Sequence, residues 1–483
     1  MTEYEIVTGI EVHAELDTAS KVFCSCDTSF GAAPNTHTCP VCLGLPGALP
    51  VLNKKAVELT VKTALALNCK VTEKTKFDRK NYFYPDLVKG YQISQFDLPI
   101  GKDGYIDIEV NGVSKRIRIK RVHLEEETGK AIHAGDDIST ADSSYMDFNR
   151  SGIGLIEIVS EADMRSADEA KAYLNKLRSI LSAIGASDCR MDQGSMRCEA
   201  NVSVRPKGSL EFGELCELKN IASIKAVGKA IDYEASRQIA LIESGEKVRR
   251  QTRHWDDSRN ETIFMRNKES ADDYRYFPEA DLMPLEIDEK WIETIRRNLP
   301  ELPDAKRRRY MSSYNIPSYD ANLIAESLSM SQFFEECMKE YDNGKTVSNW
   351  LIGEVSAMLN QEAIEISESK LTPASLISMI KMIESDQISI KMGKDIVSEM
   401  FKTGKNPEEI VKEKGLIQIN DESELIRIVN EVLDGNPNAL ADLRDGKDRA
   451  MGFLVGQMMR ATQGKANPKK VNEILRSEIA KRL

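Results

Sequence analysis

TGIEVHAELDTASKVFCSCDTSFGAAPNTHTCPVCLGLP, residues 8–46, brings two kinds of chemistry together in one stretch. Its first part alternates, and the alternation starts at Tyr4. Ile6, Ile10, Val12, Ala14 and Leu16 share one parity, and Glu5, Glu11, His13 and Glu15 share the other. Side chains of a strand alternate faces with period two, so this spacing predicts a strand with an apolar underside and an acidic, imidazole-bearing upper face. A carboxylate beside an imidazole can take a cation or hold its neighbour's protonation state. An amphipathic strand with a wet face explains the same pattern.

The second part is sulfur. Cys24 and Cys26 form C-x-C, and Cys39 and Cys42 form C-P-x-C twelve residues further on, with Gly31, Pro34, Pro40, Gly44 and Pro46 available for tight turns. Two close pairs of thiolates on turn-rich loops are the usual way to surround a tetrahedral zinc ion. Four cysteine ligands leave no open position, so such a zinc is structural.

Working outward, the 483 residues suffice for two or three domains. With 41 % apolar and 30 % charged residues, the composition is that of a soluble globular protein. Nine cysteines and a beginning, MTEYEIVTG, that reads as neither secretory signal nor Arg-rich transit peptide point to the reducing cytoplasm. No apolar run approaches bilayer length, so no membrane partner is expected. The net charge of −11 argues against indiscriminate nucleic-acid binding. From Ala441 to Leu483, however, ten Lys/Arg face five Asp/Glu, a +5 segment on a −16 remainder. Such a basic end suits phosphate contacts and suits a solvated helix surface equally.

Residues 1 to about 290 read as mixed strands and helices, an α+β domain. Helical spacing runs over Asn53–Leu67 and Ser166–Ile184, and strands are expected over Leu155–Val159, Met191–Arg205 and Glu214–Asn220. Residues 104–126 predict a hairpin turning at Asn111-Gly112, the favoured type I′ pair. Its second strand ends in His123-Leu-Glu-Glu-Glu, where ligand sites often sit. Glu157 interrupts an otherwise apolar buried strand, which is costly unless the carboxylate is paired or metal-bound. Arg197, Glu199, Asn201, Glu217 and Lys219 alternate on the later strands and would line a cavity or a wet sheet face. From about Glu286 strands vanish. Capped helices take over, punctuated by Thr372-Pro373, Gly404, Gly415, Gly435 and Gly464, with a joint expected at residues 402–408. The expected domains are 1–290, a helical 291–405 and a small helical tail, 406–483.

Nucleotide and hydrolase motifs are missing: no phosphate-binding G-x-x-x-x-G-K-[ST], no dinucleotide fingerprint beyond Gly152-x-Gly154, no G-x-S-x-G and no H-E-x-x-H. Any use of ATP would then run through magnesium in a carboxylate-lined cavity. An RNA-binding scaffold and a stand-alone metal-dependent hydrolase are the rival readings.

The motifs GIEVH (9–13), NYFYPD (81–86), KGYQISQ (89–95), HLEE (123–126), N-R-x-G (149–152), EIVSE (157–161), GSMRCEAN (194–201), ELKN (217–220), DYRYFPE (273–279) and MGFLVGQMM (451–459) follow one another along the whole chain. In that order they resemble the aspartyl/glutamyl-tRNA amidotransferase B-subunit family. The resemblance implies a mixed-sheet, cradle-like catalytic domain, a helical domain and a tRNA-binding tail. It implies ATP-dependent phosphorylation of the side-chain carboxylate of Glu-tRNA(Gln) or Asp-tRNA(Asn). Ammonia released by a partner amidase then displaces the phosphate, and a small third protein straps the two together in a heterotrimer. The resemblance would place Glu11, His13, Glu125 and Glu126 around Mg²⁺ and ATP. Arg150, Glu157 and Lys219 are further candidates by motif position and charge, and zinc would sit on Cys24, Cys26, Cys39 and Cys42. Lys465, Lys469, Lys470 and Arg476 are tRNA candidates in the tail because they are basic. Gly154, Ala162 and Val88 stand where the family usually has proline, which loosens loops without altering a charged or ligand-type residue.

Overall fold

The alternating stretch is a strand. In the computed structural model, which describes residues 3–133, 143–267, 271–416, 421–444, 449–462, 465–466 and 468–482, Tyr4–Glu15 forms β1. It lies near the middle of a nine-stranded sheet. The other strands, in chain order, are β2 (Lys70–Val71), β3 (Gly101–Val110), β4 (Val113–Glu126), β5 (Gly154–Ser160), β6 (Met196–Pro206), β7 (Cys216–Lys219), β8 (Gln251–Asp256) and β9 (Glu261–Asn267). The spatial order is β9-β8-β7-β6-β1-β5-β4-β3-β2. Every pair is antiparallel except β7 with β8, so the sheet is mixed and the fold is α+β, as expected. The β3–β4 hairpin turns where its sequence demands: Asn111 and Gly112 have φ of 51° and 77°, the positive pair of a type I′ turn.

One parity of each central strand is apolar and joins four helices in a single core. These are α1 (Lys54–Ala66), α2 (Ala167–Ala183), α3 (Ile224–Glu243) and α4 (Glu289–Arg297), the last through Ile292 and Ile295. Ile10, Val12 and Ala14 of β1 share that core with Leu174 and Leu177 of α2 and Ile231 of α3. Side-chain caps set each helix start. Asn53 accepts from the Lys55 amide (2.8 Å), Ser166 from Glu169 (3.2 Å) and Ser223 from Ala226 (3.1 Å). Each cap is worth about 1 kcal/mol. The helices leave the other parity of the central strands to polar side chains.

A small second sheet closes over the end of β4. Asp78–Asn81 pairs antiparallel with Tyr91–Ser94 and with Phe277–Pro278. Neighbouring side chains bind the β4 backbone: Gln95 accepts from the Leu124 amide (3.0 Å), and Gln92 donates to the Glu126 carbonyl (2.6 Å).

The chain divides into two compact units, Met1–Pro303 and Asp304–Leu483. The second is helical among the described residues and contains two separate apolar cores, one from Tyr310 to Val411 and one from Leu425 to Ile479. Helix ends fall where their punctuation lies. Thr372 caps Pro373–Glu384 in a reciprocal pair with Ser375, and Gly404 and Gly415 end their helices with φ of 75° and 59°. The helix Pro407–Lys414 contributes Ile410 and Val411 to the first of these cores, which therefore runs past the joint expected at 402–408. No described helix is long and apolar enough to cross a membrane.

Candidate active site on the polar sheet face

Register decides which polar side chains meet. Directly paired residues of antiparallel strands point to the same side. His13 pairs with Glu157 on one flank and Arg197 on the other, and Glu157 pairs in turn with His123. Glu11 pairs with Glu199, Leu155 with Glu125, and Asn201 with Glu217. The face left free by the helices thus carries a band of charge across β4, β5, β1, β6 and β7.

Two carboxylate clusters stand in that band. In the first, ligand atoms of His13, Glu125 and Glu157 all lie within 4.8 Å of one another. His13 Nε2 is 3.4 Å from Glu157 and 3.7 Å from Glu125, and His123 Nε2 is 3.4 Å from Glu157 and 3.5 Å from Glu125. Arg121 donates to Glu157 at 3.0 Å, and Ser94 Oγ donates to Glu125 at 3.0 Å. Burial opposes charge on His13, yet the Glu157 hydrogen bond and the Glu157, Glu125 and Glu199 charges raise its pKa to about 9. Burial likewise opposes ionisation of Glu125, but the His123 hydrogen bond and the Lys80 charge hold it down at about 2. Glu157 is held well below the carboxylate range against its burial, chiefly by His123 and His13. The cluster is therefore anionic at its carboxylates and protonated at His13.

In the second cluster Glu11, Glu199 and Glu217 also bring ligand atoms within 4.8 Å. Lys219 Nζ straddles it, 2.7 Å from Glu199 and 3.9 Å from Glu217. Asn201 donates to Glu11 (2.8 Å) and Thr252 to Glu217 (2.7 Å). Carboxylate oxygens at this spacing suit a divalent cation such as Mg²⁺ in both places, joined in the first by the His13 nitrogen once it has given up its proton.

The expected residues separate accordingly. Glu11 and His13 share a face but belong to adjacent clusters. Glu125 and Glu157 join His13, and Lys219 joins Glu11. Arg150 sits at the rim, donating to the Thr128 and Gly129 carbonyls (3.2 and 2.8 Å) and standing 4.0 Å from Glu127. Glu126 is not brought to the others. One residue after Glu125, it has the opposite parity, bonds Lys89 and the Ile93 amide (2.8 Å), and lines a cavity of about 210 Å³ with Tyr91, Cys24 and Cys42. Four further residues complete the first site: His123, Arg121, Lys80 and Glu127. Counting parity back along β4 from Glu125 selects His123 and Arg121 and rejects Glu126. Lys80 carries no such signal. Its ammonium lies 5.0 Å from the Tyr274 ring centre, and the Glu125 and Glu157 charges outweigh burial and hold its pKa well above the usual lysine range. Glu127 receives the Arg197 guanidinium. It also repels Glu15, whose carboxyl is pushed up to about 7 by burial first and by Glu127 next.

The sulfur cluster is assembled as its spacing predicts. Cys24, Cys26, Cys39 and Cys42 place their Sγ atoms within 4.8 Å of one another, with Cys39 and Cys42 at 3.9 Å. A tetrahedral zinc with bonds of about 2.3 Å asks for sulfur spacings of about 3.8 Å. Cys42 is drawn down to about 4 by the Cys24 hydrogen bond first, with the Cys39 amide and the Lys21 charge adding against burial. In the tail, Lys469 and Arg476 are exposed, and Lys465 and Lys470 are half-buried.

Residues 6–293 match the family model of the GatB/GatE catalytic domain, and residues 332–479 match that of the GatB domain. Proteins named as the B subunit of aspartyl/glutamyl-tRNA(Asn/Gln) amidotransferase are similar from end to end. That of Carboxydothermus hydrogenoformans is 52 % identical over 481 residues, 100 % of each chain. Those of Caldicellulosiruptor saccharolyticus and Caldanaerobacter subterraneus subsp. tengcongensis are 53 % and 54 % identical, each match covering 99 % of this chain and 100 % of the relative. A catalytic-domain model that spans more than half of the chain, together with relatives similar over its full length, places this protein in the GatB/GatE family.

Proposed function

We propose that this member of the GatB/GatE family, a ligase that amidates glutamate or aspartate while it is esterified to tRNA, works by phosphorylating the side-chain carboxylate with ATP. A free carboxylate resists ammonia because its leaving group would be oxide. Phosphorylation removes that obstacle. A carboxylate oxygen attacks the γ-phosphorus of ATP and ADP departs; ammonia then attacks the acyl carbon, phosphate departs, and the nitrogen loses a proton. Phosphoryl transfer asks mainly for positioning and neutralisation of charge.

The two carboxylate clusters side by side on one sheet face carry this reading. His13, Glu125 and Glu157, and beside them Glu11, Glu199 and Glu217, would hold Mg²⁺, which supplies charge neutralisation and alignment of phosphate oxygens. Lys80, Arg121, Arg150 and Lys219 are the cations around them. Lys80 and Arg121 hold the carboxylates of the first cluster ionised, Lys219 is placed to exchange a carboxylate for a phosphate, and Arg150 at the rim suits the arriving substrate. Glu126, on the opposite face with Lys89, is assigned to the cavity that it lines and not to the metal. Cys24, Cys26, Cys39 and Cys42 would hold a structural Zn²⁺. An amidase and a small strapping protein would be the cytoplasmic partners in a heterotrimer. The division into a cradle (expected at 1–290), a helical domain (291–405) and a tRNA-binding tail (406–483) belongs to the same proposal, with the first boundary carried to Pro303 and the second past the helix Pro407–Lys414.

The test follows labelled γ-phosphate of ATP in the complex reconstituted with its amidase and small strapping partners, given Glu-tRNA(Gln) and no ammonia donor. Phosphate release should require the charged tRNA and Mg²⁺ and collapse in Glu125→Gln. Turnover unchanged in that variant would sink the site. Turnover without tRNA would favour the hydrolase, and none at all the RNA-binding scaffold.

A further inference from the structure

Lys21 stands three residues before the first metal-type cysteine, in a stretch that reads as a surface loop, yet its side chain is completely buried. An ammonium has three N–H donors. Those of Lys21 find the His37 carbonyl (2.7 Å), the Phe148 carbonyl (3.2 Å) and Cys42 Sγ (3.5 Å). Two of these acceptors are neutral, and the sulfur is the one that becomes anionic. Burying an ammonium against neutral carbonyls is costly. A dication held by four thiolates carries a net charge of −2, and Cys42, the ligand that the ammonium touches, is buried while Cys24, Cys26 and Cys39 are half-buried. The ammonium and the charge of the cluster therefore stabilise one another at Cys42. The Cys39 amide gives Cys42 a second hydrogen bond at 3.1 Å, so this sulfur receives donors from two directions.

The same lysine touches the segment that bears Arg150. The Phe148 carbonyl is two residues from Arg150, and the cysteine loop is tied to this segment all along its length. The His37 amide donates to Asn149 Oδ1 (2.8 Å), Asn149 Nδ2 donates to the Ala33 carbonyl (2.7 Å), and Ser151 Oγ donates to the Cys42 carbonyl (3.2 Å). Gly152 closes the set. The Val22 amide donates to its carbonyl (2.9 Å), its φ is +85°, and a Cβ there would stand 3.4 Å from Cys42 Cβ and 3.6 Å from Lys21 Cδ.

We propose that Lys21 is the buried counter-cation of a metal tetrathiolate at Cys24, Cys26, Cys39 and Cys42, and that through Phe148 it makes the occupied cluster the support of the Arg150 segment. The proposal rests on the structural-zinc reading and goes beyond it. It assigns Lys21 a charge-balancing role and makes a positioning device of what would otherwise be a mere staple.

Two measurements on the full chain test it. Reduced, metal-stripped protein is titrated with Zn²⁺ against a chromophoric chelator, for wild type and Lys21→Met, which keeps the length and loses the charge. The variant should bind about 10- to 100-fold more weakly, the range for partners that lie just outside a metal's ligands. Equal affinity would overturn the counter-cation, and a wild type that takes up no zinc would overturn the metal reading along with it. Amide exchange of wild type alone, with and without Zn²⁺, reads the second half without any variant. Residues 146–152 should lose protection when zinc is removed, and unchanged exchange there would overturn the support.

Discussion

The two carboxylate clusters on the polar face meet β1 two residues apart, at His13 and at Glu11, and they are neutralised in different ways. Around Glu157 and Glu125 the positive charge comes from His13, with Arg121 and Lys80 beside it. Around Glu199 and Glu217 it comes from Lys219. An imidazolium can answer an arriving cation by releasing a proton while its ring stays in place and becomes a ligand. A lysine cannot become a ligand at ordinary pH. It must swing away, and a phosphate oxygen is a natural place for it to go. On the proposed function, the first cluster would exchange a proton for metal, and the second a side chain for metal plus phosphate.

Removing Glu157, the hub of the first cluster, should break the comparison most severely. Glu157→Gln leaves His13, His123 and Arg121 without their shared anion and should lower tRNA-dependent phosphate release by about 10²-fold or more, since a bound cation is worth several kcal/mol of charge stabilisation. Near-wild-type turnover would make the second cluster the sole centre. The pH dependence of stability comes next. His13 has a folded pKa of about 9 against 6.5 for the free side chain, so the contribution it makes is fully present below pH 6.5 and is lost as pH rises through 9. Chemical denaturation of metal-free wild type and His13→Gln should show a gap of at most about 3 kcal/mol at about pH 6 that closes by about pH 9.5. A gap that widens with pH would contradict the imidazolium. Glu125→Gln should then weaken Mg²⁺ binding by about tenfold, and Glu126→Gln should leave it within about twofold, because the two carboxylates lie on opposite faces of β4. Calorimetric titration with Mg²⁺ decides, and equal losses would mean that the strand parity misleads. The smallest effect is expected at Lys219. Lys219→Met should tighten Mg²⁺ binding a few-fold, as loss of a nearby positive charge in a partly wet site allows, while slowing turnover. Weaker binding would make Lys219 a support of the cluster and not a competitor for it.

Much of this arrangement was legible residue by residue. Alternation alone set Glu11 and His13 on one face of β1, spacing alone assembled four cysteines, and an acid inside an apolar strand singled out Glu157. The same alternation, carried back from Glu125, would have favoured His123 over Glu126. The motif HLEE draws the eye to adjacent acids, whereas a strand separates them. What stayed hidden depends on contacts far apart in sequence. Lys80 reaches Glu125 from a different sheet, and Glu11 meets Glu217 only because β6 lies between β1 and β7. Lys21 looks like a loop lysine until the loop beyond it folds back over Phe148. The helical half was easier to read, since its caps and left-handed glycines are local features.

The register of β1 between β5 and β6 bears on how such a chain can change in length. Along β1 the side-chain period is two, so one residue inserted or deleted within the strand would put the residues on one side of it out of phase, turning polar side chains into the core and lifting apolar ones onto the polar face. No neighbouring strand could compensate, because β5 and β6 read their positions from β1. Tolerated gains and losses of sequence should therefore collect at places such as the Asn111-Gly112 tip. Strands β1, β4, β5 and β6 should keep an invariant residue count even where their apolar residues drift.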